Sequence, residues 1–150
     1  MSAVDAGAPG LRLVVRRTIR ATTERLFEAW TTPAQLREWW GPADVVCTSA
    51  DVDLRIGGRF RLANRFASGA IVWIAGEYEV IDPPRQLVYT WFVEPDAGVR
   101  ERVTVRFESR ARATEVIIVH ELIAGPRERD SHEHGWVACL DGLETYLSHR

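Results

Sequence analysis

The sequence predicts an α+β domain: a curved antiparallel sheet of about seven strands, two short helices after the first strand, and a long C-terminal helix packed across the concave face. Three observations predict it. Between Val45 and Leu122, short runs of β-branched and aromatic residues alternate with period two and are separated by Gly, Pro and Asp turns. Two early stretches, around Leu26 to Trp30 and Leu36 to Trp40, carry apolar residues at helical spacing instead. After Ser131 the helical period returns, with Trp136, Leu140, Leu143 and Leu147 on one stripe.

The elements follow in order. Residues 1–10 are small and turn-prone and read as a flexible N-terminal tail, so a single domain is expected over residues 11–150. Leu11 to Ile19 is a first strand, and Thr22 or Thr23 can cap the helix that bears Leu26, Phe27 and Trp30. Pro33 suits the first turn of a second helix, which stops at Gly41-Pro42. Strands are then expected over Val45 to Leu54, Arg59 to Phe66, Ala70 to Ile81 and Gln86 to Val93. Gly57-Gly58 reads as a two-residue hairpin turn with positive φ, without the helix or spacing of a phosphate loop. A turn over Glu94 to Gly98 precedes a last hairpin, Val99 to Phe107 and Thr114 to Leu122. The final helix starts with Ser131 as N-cap and His134 at its third position. Strands joined this briefly form an antiparallel meander.

Composition removes several function classes. At 150 residues, 46% hydrophobic and 27% charged, the chain is an ordinary globular domain and not a disordered one. No run is apolar for the ~18 residues of a membrane span, and Met1 to Gly10 lacks the regions of a secretory signal, so a cytoplasmic location is expected. A net charge of -2 with interspersed signs offers nothing to a nucleic-acid backbone. Cys47 and Cys139 lack metal-ligand spacing and read as buried small hydrophobes. No serine-hydrolase elbow, zincin helix, Walker loop or dinucleotide fingerprint occurs, so no cofactor and no metal are expected.

A curved sheet cannot close flush on one helical cylinder, and the gap left between them is the expected site. Period two gives its lining. Leu87, Tyr89 and Trp91 share a face, as do Val103, Val105 and Phe107; Val116, Ile118, His120 and Leu122; Phe60, Leu62, Asn64 and Phe66; and Val72, Ile74, Gly76, Tyr78 and Val80. One indole of the Trp39-Trp40 pair belongs at the mouth, since adjacent helical residues point apart. The expected ligand-binding set is Trp39, Phe60, Asn64, Trp73, Tyr78, Tyr89, Trp91, His120, Trp136 and Leu140. His120 is the candidate proton carrier, but Glu121 points to the opposite face and no other acid is placed to orient it. His132 and His134 stand two apart on a helix and cannot chelate one ion; the start of the helix is expected to be solvated, with His132 able to stack on Trp136.

Four segments carry a resemblance: Ala21 to Pro42 (ATTERLFEAWTTPAQLREWWGP), Asp53 to Phe60 (DLRIGGRF), Gly76 to Trp91 (GEYEVIDPPRQLVYTW) and His134 to Leu147 (HGWVACLDGLETYL). In this order they resemble the Aha-type family, named for activation of the heat-shock-protein-90 ATPase, within the START-like (SRPBCC) superfamily. The resemblance implies a helix-grip fold with a cavity between the last helix and the sheet. It also implies relatives that bind lipids, sterols or polyketides, some of them cyclases or dehydratases.

Three functions compete. The first is binding of a small lipid-like or polyketide-like molecule in the cavity. The second is a cyclase or dehydratase in which His120, Tyr78 or Tyr89 moves a proton. The third, contact with a chaperone, is the least favoured, because the chain shows no charged docking extension. A homodimer could form through an edge strand or through the segment Leu26 to Trp40.

Overall fold

The computed structural model describes residues 10–41, 44–95, 98 and 100–148. Its elements are β1 (Leu11–Ile19), α1 (Thr23–Thr31), α2 (Pro33–Trp39), β2 (Val46–Val52), β3 (Arg59–Arg65), β4 (Ile71–Asp82), β5 (Gln86–Val93), β6 (Glu101–Arg110), β7 (Ala113–Ile123) and α3 (Pro126–Ser148). The expected order of elements is the observed one. The tail expected over residues 1–10 lies outside the described residues as far as Pro9. So do Pro42, the middle of the expected 94–98 turn, and Val99.

The seven strands pair antiparallel in the order β1-β7-β6-β5-β4-β3-β2. β2 to β7 form a meander, and α1 and α2 carry the chain from β1 at one edge to β2 at the other. Thr22 caps α1, its side-chain oxygen accepting from the Arg25 N–H at 3.0 Å, which stabilises a helix end by about 1 kcal/mol. Leu26, Phe27 and Trp30 then face the core, and Leu36, Trp39 and Trp40 join them from α2. The apolar residues of Leu26 to Trp40, considered above as a pairing surface, are therefore spent on the protein's own interior.

The inner face of the sheet follows period two except where a bulge intervenes. Leu13, Val15, Leu87, Tyr89, Trp91, Val103, Val105, Phe107, Val116, Ile118 and His120 are all buried. Between β1 and β7 the register slips, Leu13 opposing His120 but Leu11 opposing Ile123. Leu122 takes φ 65 at this bulge and leaves the inner face, and the fully buried Ile123 replaces it. A slip in β4 after Tyr78 likewise turns Val80 outward to 39% exposure, contrary to the alternation expected from sequence.

Two local expectations are corrected. The connection at Gly57-Gly58 is a six-residue loop over 53–58 in which only Gly57 has a positive φ, at 81°. Gly58 is needed for another reason: a Cβ there would meet the Asp53 carbonyl oxygen at 2.1 Å. The last helix begins at Pro126 rather than after Ser131, because proline fits a first turn where no N–H bond is lost. His132 thus stands in the helix body, one turn before Trp136. α3 packs on β1, β7 and α2, and Arg17 of β1 ties its far end through Asp141 at 2.9 Å and Glu144 at 3.0 Å.

Candidate functional site

α3 does not cover the whole sheet. Where β3, β4 and β5 splay away from its first half, a cleft of about 270 Å³ remains. Asn64 and Phe66, Val72 and Ile74, and Trp91 and Val93 form its sheet wall. Ser131, His132, Gly135, Trp136 and Cys139 form the helix wall, and Trp40 closes one end. Apart from Asn64 and the two polar helix residues, the walls are aromatic and aliphatic.

Three buried polar atoms on residues of these walls have no hydrogen-bond partner among the described residues: Nε1 of Trp40, Nε1 of Trp91 and Oδ1 of Asn64. An unsatisfied buried donor or acceptor costs roughly 1–3 kcal/mol. All three belong to residues of one cleft, and buried groups of this kind call for an explanation.

A polar cluster adjoins the cleft. Trp136 Nε1 donates to His120 Nδ1 at 2.9 Å. An indole can only donate, so Nδ1 presents its lone pair and the His120 proton sits on Nε2, which donates to Glu101 Oε1 at 2.7 Å. His132 Nε2 lies 3.0 Å from the same oxygen, and its ring lies flat on His120 with centroids 4.3 Å apart and an interplanar angle of 19°. The stacking partner of His132 is thus His120 and not Trp136.

Burial alone pushes the Glu101 carboxyl up, but the hydrogen bonds and charge of His120 and His132 outweigh it and bring the carboxyl down to about 2. Burial holds the His120 imidazole below its ordinary value, against the opposing pull of Glu101. The resting cluster is an ionised carboxylate with a neutral, Nε2-protonated His120. Ligand atoms of Glu101, His120 and His132 lie within 4.8 Å of one another, close enough to surround a metal ion. The Trp136 bond disfavours such use: His120 could coordinate through Nε2 only by losing its remaining ring proton.

This electrostatics predicts a pH dependence of stability. His120 has a folded value below its unfolded one, near 6.5, so the unfolded chain takes up a proton that the folded chain refuses. Stability then falls as pH drops through 6.5. Glu101 adds a second loss between its ordinary value, 4.5, and about 2. The urea midpoint of the wild type is expected to decline between pH 7.5 and 5. In His120→Gln, whose amide can accept from Trp136 and donate to Glu101, that segment is expected to flatten.

The residues expected from sequence divide by location. Asn64, Trp91 and Trp136 line the cleft, and His120 lies beneath it, fully buried. Phe60, Tyr78 and Tyr89 surround a second void of about 20 Å³, which Trp40 and Trp91 also line, room for little more than one water. Burial raises both phenols, and the Tyr89 oxygen accepts from Trp30 Nε1 at 3.3 Å. Trp39 packs on Trp30 and donates to the Ala29 carbonyl at 2.9 Å, so the neighbouring Trp40 takes the mouth position. Leu140 is fully buried in the core. Trp73 is on the other side of the sheet, its ring under the Arg61 guanidinium at 3.6 Å. Both cysteines are free and buried.

Two residues of the polar cluster lie outside the set expected from sequence. Glu101 lies two residues before Val103, so extending the face of Phe107, Val105 and Val103 backwards would have found it opposite Trp91. His132 is four residues before Trp136 on the inward stripe, and only the late helix start concealed it.

A family model described as "Activator of Hsp90 ATPase homolog 1-like protein" matches residues 20–148. The chain belongs to this family. Members of the activator-homolog family and similar proteins of known structure share its helix-grip, START-like architecture. A protein from Chromobacterium violaceum is 27% identical with a TM-score of 0.81, covering 89% of this chain and 94% of its own. The AHSA1 protein from Silicibacter pomeroyi is 24% identical, TM-score 0.83, with 92% and 98% covered. The AHSA1-like protein from Aeromonas hydrophila is 23% identical, TM-score 0.77, with 92% of each chain covered. Among curated proteins, none matches the sequence. Among the described residues, no helix is long and apolar enough to cross a membrane.

Proposed function

We propose that this activator-homolog domain binds a small, mainly apolar molecule with one polar end in the cleft between α3 and the sheet. The observation that carries the reading is that three buried polar atoms without a partner among the described residues, two indole donors and one amide oxygen, all belong to residues lining one otherwise apolar cavity. The volume, about 270 Å³, lies at the small end of ligand sites, which begin near 300 Å³. A one- or two-ring molecule or a short acyl chain suits it better than a sterol. The polar end would accept from Trp40 and Trp91 and offer a donor to Asn64.

Gly135 provides the test. It lines the cleft, and a Cβ built on it meets no atom within 4 Å. Gly135→Leu therefore fills the cleft from a helix position where removing glycine gains up to about 1 kcal/mol. Titration of the wild type with 2-naphthoate, 2-tetralone and decanoate is expected to give saturable changes in tryptophan fluorescence. Gly135→Leu is expected to abolish them while unfolding at the same or a higher urea concentration. Equal binding by the two proteins would refute the cleft as the site.

A further inference from the structure

We propose that Glu101 and His132 form an acid–base pair which moves a proton on the bound ligand, and that the ligands acted upon are apolar carbonyl compounds whose oxygen is received by Trp40 and Trp91. The proposal rests on the cleft being a ligand site and assigns it a reaction class.

The argument begins with the two histidines. His120 is fully buried and has both ring nitrogens occupied, by Trp136 and by Glu101. It is a positioning residue. His132 lines the cleft, and 22% of its side chain is exposed. With Nε2 directed at the Glu101 carboxylate, the proton on that ring belongs to Nε2, and Nδ1 keeps its lone pair. An imidazole with one nitrogen held by a carboxylate and the other able to take a proton is the arrangement general base catalysis uses, because the carboxylate steadies the imidazolium that forms. The flat contact with His120 fixes the plane of the ring.

The same cleft supplies the other half of the chemistry. Trp40 and Trp91 line it, and their buried N–H groups have no acceptor among the described residues. Donors left unpaired in an apolar cavity stabilise an oxygen that gains negative charge far better than donors in water do. The step balances without any co-reactant. Nδ1 of His132 takes a proton from the carbon beside the carbonyl; that C–H electron pair forms the new C=C bond, and the carbonyl π pair moves onto oxygen, against the two indoles. Return of the proton from Nδ1 to the same carbon gives exchange, and return to a conjugated carbon gives an isomer. The charged and titratable groups in contact with His132 are Glu101 on β6 and His120 on β7.

The test uses the whole chain and 2-tetralone, a bicyclic ketone with exchangeable protons beside its carbonyl. Binding is read by tryptophan fluorescence, and proton NMR in D2O reads the exchange of those protons for deuterium. The wild type is expected to accelerate exchange over buffer, and His132→Phe, which keeps a flat ring on His120, to bring it back at least about 100-fold. Glu101→Gln is expected to bind 2-tetralone as the wild type does while losing at least about 10-fold of the acceleration, a split between binding and rate that a merely structural role would not produce. Gly135→Leu should neither bind nor accelerate. Bound 2-tetralone that exchanges no faster than in buffer would overturn the acid–base pair while leaving the binding reading intact. Wild-type rates in His132→Phe, or acceleration abolished by EDTA, would also overturn it. Absence of binding to the wild type would defeat both readings.

Discussion

Trp136→Ala is expected to destabilise the domain by about 4–5 kcal/mol, the upper part of the range for removing a buried aromatic. Trp136 is only 3% exposed and joins three parts of the molecule. Its ring lies at 6.2 Å from Trp30, 5.4 Å from Trp40 and 5.7 Å from Trp91. Its indole N–H holds His120, which in turn holds Glu101. Alanine removes the wall between core and cleft and leaves a buried imidazole nitrogen without its donor, so the cavity and polar costs add. With a total stability of roughly 5–15 kcal/mol for a domain of this kind, such a loss brings the variant near the edge of folding. Urea unfolding measures it directly. A loss below about 2 kcal/mol would mean that α3 is not seated on the sheet as described. Trp136→Phe, keeping the ring but not the donor, should cost markedly less.

The double variant Trp40→Phe, Trp91→Phe is expected to weaken ligand binding by about 10- to 100-fold while lowering stability by no more than about 1 kcal/mol. Trimming two tryptophans from a core normally costs several times that. Here both indole N–H groups are buried without an acceptor, so phenylalanine relieves a penalty of roughly 1–3 kcal/mol at each position, offsetting the lost packing. A ligand that accepts from both loses about 0.5–1.5 kcal/mol per neutral hydrogen bond. Fluorescence is compromised in this variant, so calorimetric titration with 2-naphthoate and urea unfolding monitored by far-UV circular dichroism are the appropriate measurements. A stability loss typical of core truncation, with affinity unchanged, would show that the indoles serve packing alone.

The two predictions treat neighbouring tryptophans differently because their donors differ in use. Trp136 has an internal acceptor, and Trp39 has one in the Ala29 carbonyl. Trp40 and Trp91 have none among the described residues. Donors left without an acceptor beside a cavity carry a stability cost there, which is what the double variant measures.

The sequence by itself determined the order of elements, the meander, the helix starts at Thr22 or Thr23 and at Pro33, and most of the inner face, because these depend on local periodicity and turn chemistry. It also determined the family, through four segments in order, and the residues Asn64, Trp91 and Trp136 of the cleft. Only the tertiary structure decided between Trp39 and Trp40, since Trp40 leaves α2 as its extended C-cap and its direction depends on how the chain continues. It alone placed Leu122 and Val80 outside, because a bulge shifts the alternation by one residue and no local signal marks the shift. It alone showed Trp73 under Arg61 on the far side of the sheet. The joining of Glu101, His120 and His132 required all of it: a residue on β6, one on β7 and one on α3, distant in sequence, meet only because α3 starts a turn earlier than its apolar pattern suggests and lies across those two strands.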